Sequence, residues 1–203
     1  MKQLTLKRLV LGMMVMVLFI GTMAACGNNK TVQAELLSEE EMTDNTTFGR
    51  GDNFVDMSVT TPDGTIYQIS ELLKEKKAVV LNFWYINCGP CQMEFPYMQE
   101  AYEKYQDDIE ILALNPYDGT DKTVAEFQKQ FELTFPMAVC EEEWQMRMEL
   151  TAFPTTVVID RYGVVSFVHT GMITSTEEFE KLFAFFTAED YEQTVIRNIN
   201  DIQ

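Results

Sequence analysis

The 203-residue chain reads as a three-layer α/β domain built on a mixed sheet. Three observations predict this. Residues 78–84 and 109–115 are mostly apolar runs of strand length, as expected of strands buried on both faces. Segments of helical character follow both runs, and parallel strands need such crossovers. Near the end, residues 155–160 and 164–169 flank Arg161-Tyr162-Gly163, which reads as a hairpin and so adds antiparallel strands.

The elements follow in order. Order begins near Phe54, with a short strand over 54–59. Thr61-Pro62-Asp63-Gly64 is a turn, since Pro presets one dihedral and Gly accepts positive φ. Residues 65–69 return as the second arm of this hairpin, and Ser70 is the expected cap of a short helix through Lys76. After the first buried strand, a long helix should run from Gly89 or Pro90 to Tyr105, kinked at Pro96, which lacks the N–H for the ladder. Residues 120–131 carry Val124, Phe127 and Phe131 at helical spacing. A short extended piece over 136–139, a helix over 141–150 and a closing helix over 176–186 complete the pattern, with a tail that extends that helix or frays.

The N-terminus reads as an export signal. Lys2, Lys7 and Arg8 precede an apolar run over 9–20, which falls short of the roughly 20 residues a spanning helix needs. Met23-Ala24-Ala25-Cys26 resembles a bacterial lipobox in which Cys26 becomes the lipidated first residue, Met23 standing where Leu is usual. A plain signal peptide and an uncleaved anchor are the alternatives, and all three place the domain outside the cytoplasm. The expected division is a signal over 1–25, a lipidated N-terminus and acidic flexible tether over 26–48, the domain over 49–187 and a tail over 188–203. The net charge of -17 disfavours nucleic acid and anionic headgroups as partners.

Cys88, Cys91 and Cys140 remain, an odd count that forbids a fully paired framework. Cys88-Gly89-Pro90-Cys91 stands where a buried strand gives way to a helix. Unpaired N–H groups and the helix dipole stabilise an anion there, which lowers a cysteine pKa and makes the attacking thiolate. Cys88 is the expected, exposed attacker. Cys91, one turn deeper, is the resolver. A zinc site would need a second ligand pair, and a haem attachment site would need His where Gln92 stands. A purely structural disulfide would close only a tiny loop, where cross-linking contributes least. No metal or other cofactor is expected beyond the cysteine pair itself. Cys140 is expected to be a buried free thiol, His169 a strand residue, and Met93, Met98, Met146 and Met148 core filler.

The motifs Val79-Val80-Leu81-Asn82-Phe83-Trp84, Cys88-Gly89-Pro90-Cys91, Glu94-Phe95-Pro96, Phe153-Pro154-Thr155-Thr156 and Asp160-Arg161-Tyr162-Gly163 together resemble the TlpA/ResA family of extracytoplasmic thioredoxin-like proteins. The resemblance spans roughly residues 49–186. It implies a thioredoxin-like three-layer fold with an added N-terminal β-hairpin and a central αβ insertion. It implies a cis bond at Phe153-Pro154, with Trp84, Asn87, Phe153, Pro154 and Thr155 around the substrate-docking groove; Asn87 departs from the family's usual Trp. It matches Glu94 to the family's active-site Glu. Asn82 stands where cytoplasmic thioredoxins carry a buried Asp, and Glu94, three residues after Cys91 on one helix face, restores a carboxylate.

The function so implied is reduction of disulfides in exported client proteins, apocytochrome c or methionine sulfoxide reductase among them, by a monomer anchored to the outer face of the cell membrane. A membrane electron donor is implied with it. Three other readings compete. The first is a disulfide-donating oxidase, against which the thioredoxin dipeptide Gly89-Pro90 weighs: about -270 mV against about -120 mV for a strong oxidant, roughly 7 kcal/mol for two electrons. The second is a peroxidase, for which Cys140 beside Glu141, Glu142 and Glu143 is a poor thiolate. The third is a metallochaperone or binding module, for which a single His is thin.

Overall fold

A computed structural model describes residues 34–43 and 45–202. The export signal and Cys26 lie outside them. A five-stranded sheet carries the domain, in the order β5-β4-β3-β6-β7. Its strands are β3 (Ala78–Phe83), β4 (Ile109–Asn115), β5 (Met137–Val139), β6 (Thr155–Asp160) and β7 (Val165–Thr170). β3, β4 and β5 are parallel, and β6 and β7 are antiparallel additions, so the mixed sheet follows the predicted pattern. Ahead of it, β1 (Ser58–Thr60) and β2 (Ile66–Gln68) form a separate antiparallel hairpin. The turns at Gly64 (φ 88°) and Gly163 (φ 83°) adopt the left-handed backbone that only glycine reaches without strain.

The strictly buried β3 divides the core by its period of two. Ala78, Val80 and Trp84 face one cluster, shared with α2 (Gly89–Tyr105), α3 (Asp121–Gln130) and α5 (Thr176–Thr187). Val79, Leu81 and Phe83 face the other, under the hairpin, α1 (Ile69–Glu75) and α4 (Glu143–Arg147). The result is three layers with α3, β5 and α4 as the central insertion.

Four local expectations are corrected. Ser70 does not cap α1. Asp56 does so from outside the helix, accepting the Ser70 N–H at 2.8 Å with Oδ1 and the Gln68 amide at 2.7 Å with Oδ2. Helix α4 covers only Glu143–Arg147 of the expected 141–150, because Glu149 turns left-handed (φ 48°) and Met148 already bonds back to Trp144 and Met146. The described part of the expected tether is not free. Glu35 N–H donates to Tyr162 O, Leu37 N–H to Phe54 O and Phe48 N–H to Arg147 O, and Phe48 is 2% exposed against Phe54 and Trp144.

The fourth correction is the tail, which neither frays nor extends α5. It turns back, Ile196 pairs with Phe167 at the edge of β7, and Ile196, Ile199 and Ile202 are buried. Its pin is the fully buried Asp160. Oδ1 accepts the N–H groups of Tyr162 and Val164, and Oδ2 accepts the hydroxyls of Ser166 (2.6 Å) and Tyr191 (2.7 Å). Four donors satisfy its two oxygens, as buried polar atoms require. One residue therefore ties the β6–β7 turn to the tail.

Candidate active site

The site forms where β3 ends and α2 begins. The Cys88 carbonyl accepts the Gln92 N–H at 3.0 Å while its own backbone stays extended (φ -77°, ψ 97°), which makes Cys88 the N-cap of α2. Its Sγ accepts the Cys91 N–H at 3.1 Å, in the place a Ser or Asp cap oxygen would take. Pro90 fits the first turn because an N–H there has no helical partner to lose. Gly89 is not forced by the backbone, since a Cβ there would meet nothing within 4 Å. The two cysteines are joined as a disulfide with Cα atoms 5.2 Å apart.

Contrary to expectation, Cys88 is not the exposed member. Both cysteines are 0% exposed, while Asn87, Gly89 and Pro90 around them are exposed. Exposure therefore does not separate attacker from resolver. The N-cap position of Cys88 does, since its sulfur accepts the Cys91 N–H and lies at the positive end of the helix.

Glu94 lies in the second turn of α2 and is 0% exposed. Oε1 accepts the Asn82 amide at 2.8 Å, and Oε2 accepts the Ile173 N–H at 2.6 Å from the loop after β7. Burial pushes its pKa up to about 7, against the pull of those two donors. A group poised there exchanges a proton near neutral pH. Asn82 also donates to Thr156 Oγ1 at 3.2 Å across the β3–β6 pair. The Phe153-Pro154 peptide is cis, with Pro154 buried beside β6 and Phe153 half-buried.

Residues 50–168 match the AhpC/TSA family. The chain belongs to that family. Among its relatives is the thioredoxin-like protein YneN of Bacillus subtilis, 30% identical over 134 residues, or 65% of this chain and 78% of YneN. The thiol-disulfide oxidoreductase ResA of Halalkalibacterium halodurans is 32% identical over 140 residues, covering 65% and 76%. A thiol:disulfide interchange protein of the thioredoxin family from Chlorobium tepidum shares the fold, with a TM-score of 0.58 at 24% identity over 69% of this chain and 99% of that one. The resemblance read from the motifs thus holds. This AhpC/TSA member is a thioredoxin-fold thiol–disulfide oxidoreductase with its disulfide at Cys88–Cys91.

The remaining residues expected at the groove divide. Asn87 is exposed beside Cys88. Thr155 is 1% exposed and turns its hydroxyl to Ala152 O at 2.8 Å, so it shapes the loop from inside. Trp84 is 0% exposed, with its ring against Phe95 and Phe127, and cannot contact a docked partner. The alternation of β3 sends it into the α2 face. Tyr85 and Tyr117 supply the aromatic surface instead. Their rings meet edge-on at 5.5 Å, Tyr85 meets Phe153 at 5.5 Å, and the three line a cavity of about 270 Å³. Tyr117 is 67% exposed.

Sequence reading also missed what holds the Cys88 loop. Ile86 is gripped from both sides: its N–H donates to Asp118 Oδ1 at 2.9 Å, and its carbonyl accepts the Gln92 amide at 2.8 Å. Asn115, fully buried, fixes the Asp118 loop by accepting the N–H groups of Tyr117, Asp118 and Gly119. A Cβ on Gly119 would lie 2.8 Å from the Asn115 side chain, so glycine is required there by close approach. The run Asn115-Pro116-Tyr117-Asp118-Gly119 announces a loop by composition, but not its partner 32 residues upstream.

Cys140 is a buried free thiol whose pKa burial drives far up, helped by Glu141, so it stays protonated. His169 is half-buried in β7, stacked on Phe167, and burial lowers its pKa. Met98 and Met148 are core residues as expected, whereas Met93 (57% exposed) and Met146 (53%) face solvent. Among the described residues, no three His, Cys, Asp or Glu side chains are grouped to hold a metal.

Proposed function

We propose that this thiol–disulfide oxidoreductase is a reductase of exported client proteins, held at the outer face of the cell membrane by lipid on Cys26. The observation that carries the reading is the buried Glu94 carboxyl one turn beyond a Cys-Gly-Pro-Cys disulfide whose first sulfur caps α2. Such a site can run exchange in two steps. The Cys88 thiolate attacks a client disulfide, forming a Cys88–client disulfide and releasing the other client sulfur as a thiolate. The Cys91 thiol then gives its proton to ionised Glu94 and attacks Cys88, releasing the second client sulfur and closing Cys88–Cys91. The client gains two electrons and the enzyme loses two, so a donor must restore the dithiol. A membrane thiol-reducing protein is the class of donor that fits, because a reductase outside the cytoplasm would be cut off from cytoplasmic electron donors.

Client backbone would lie along the Phe153-Pro154-Thr155 loop, with Tyr85, Tyr117 and Phe153 receiving an apolar side chain and Asn87 at the rim. Apocytochrome c and methionine sulfoxide reductase are the client classes the family resemblance suggests. The reductase direction rests on Gly89-Pro90, the dipeptide of reducing thioredoxins. The reduced protein should therefore cleave insulin disulfides, and equilibration against glutathione should place its potential nearer about -270 mV than about -120 mV. A value at the oxidising end would make it a disulfide donor instead.

The anchor has its own test. Labelled palmitate should enter the wild type and be lost in Cys26→Ala, with the variant released from membranes. Equal labelling of both would refute lipidation at Cys26.

A further inference from the structure

We infer that Asn82 is a reversible partner of Glu94, turning its side-chain amide over with the Glu94 proton so that the carboxyl stays hydrogen-bonded beside the cysteine pair in both protonation states.

The inference starts from an unpaired atom. Asn82 is 0% exposed on β3, on the face that α2 covers. Its Nδ2 is fully used, donating to Glu94 Oε1 at 2.8 Å and to Thr156 Oγ1 at 3.2 Å. Its Oδ1 is buried with no hydrogen-bond partner. A buried amide acceptor left unpaired is uncommon and calls for a reason.

The second observation is the asymmetry of the two Glu94 oxygens. Oε2 faces the backbone N–H of Ile173 at 2.6 Å, which can donate and never accept. The proton on neutral Glu94 therefore sits on Oε1, the oxygen facing Asn82. There it meets Nδ2, a donor, and two donors cannot bond. Half a turn of the amide resolves the conflict. Oδ1 then takes the place of Nδ2 and accepts the Glu94 hydroxyl. Thr156 adapts without moving, because a hydroxyl can accept from Nδ2 or donate to Oδ1. The nearly isosteric ends of the amide need no repacking, and the pocket that now holds Oδ1 would hold Nδ2. One amide end is unpaired in either state, so neither state is favoured by the count of bonds. Asp at position 82 could not do this: two facing carboxylates would contend for one proton, and one pKa would rise strongly.

Titratable groups on the surrounding elements include Cys88 and Cys91 at the start of α2, Tyr102 further along it, Asp160 at the far end of β6, and His169 on β7, which pairs with Thr156. Glu178 on α5 and Arg50 bear on His169. None of them hydrogen-bonds Glu94 among the described residues, which leaves Asn82 and Ile173 as its partners. Asn82 is thus a positioning residue that acts through Glu94. The inference deepens the reading of Glu94 as proton acceptor. Its test reads the amide and the carboxyl directly, independent of client or direction of electron flow.

In the oxidised full chain, the Asn82 side-chain NH₂ signals should shift with pH, at the midpoint of the Glu94 carboxyl band that Glu94→Gln removes from the infrared spectrum. In Glu94→Gln the Asn82 signals should not titrate. Asn82→Val removes the partner of both forms, so the Glu94 midpoint should move by less than about one unit, whereas loss of a donor serving the ionised form alone would raise it by that much or more. Asn82 signals indifferent to pH between 5 and 9 in the wild type would overturn the inference, and that titration needs no variant to fold. A rise well beyond about one unit in a folded Asn82→Val would overturn it equally, since it would mark Asn82 as a donor to the ionised form alone.

Discussion

Cys91→Ser is expected to accumulate mixed disulfides between Cys88 and its clients, Cys88→Ser to accumulate none, and both to lose at least about 10³-fold in insulin turnover. The size follows from the geometry. With Cα atoms 5.2 Å apart and Cys91 in the first turn of the helix that Cys88 caps, the second attack is intramolecular. Oriented reactions of that kind reach effective molarities on the order of 10⁵ M or more, which millimolar external thiol cannot replace. The assignment of roles rests on the cap. Cys88 Sγ receives the Cys91 N–H and sits at the positive end of α2, where a thiolate is stabilised. Trapping of clients on a Cys88→Ser variant through Cys91, seen on non-reducing gels, would reverse the roles.

Glu94→Gln should slow the second step by about 10²–10⁴-fold, the usual span for a positioned proton acceptor, and leave the first attack largely intact. In the wild type the rate of the second step should rise with pH through about 7, where Glu94 ionises. The variant should lack that limb. Single-turnover reduction of a model disulfide, run beside Cys88 alkylation across pH, measures both steps. Overlaid curves would leave Glu94 without a part in proton transfer.

The same group predicts a stability effect of definite sign. The folded pKa of Glu94, about 7, lies above the ordinary carboxyl value of 4.5 because the folded state buries it. The native state then binds a proton more tightly than the unfolded chain. Its contribution is fully present below pH 4.5, is lost as pH rises toward 7, and changes no further above that. Over the whole window the loss is about 3 kcal/mol. Urea unfolding of the oxidised protein at pH 5 and pH 8 should show that slope in the wild type and its reduction in Glu94→Gln. Glu110, another buried carboxyl with a raised pKa, contributes to both proteins and cancels in the difference. Parallel pH profiles would show that Glu94 is no harder to ionise folded than unfolded.

Sequence alone determined the parts whose signal is local. β3 and β4 stand within a residue of their apolar runs, α2 begins at Gly89 beside the cysteine pair, and Glu94 falls on the helix face of Cys91 by spacing. Period and turn chemistry are properties of neighbouring residues, so they survive without knowledge of the fold. Tertiary structure decided whatever depends on residues distant in the chain. Asp56 caps a helix 14 residues away, and Asp160 holds Tyr191 from 31 residues away. Tyr85, Tyr117 and Phe153 come from three separate loops to make one aromatic surface. The polar sequence around the isoleucines of the tail and around Phe48 gives no period, yet both segments are buried because the sheet edge and α4 offer them apolar surface. Cys88 looks like an exposed loop residue by position and is buried by its surroundings. Glu94, Asn82, Thr156 and the Ile173 amide come from a helix, two strands and a loop. A carboxyl's proton affinity is set by its desolvation and its donors, and only packing brings those four groups to one place.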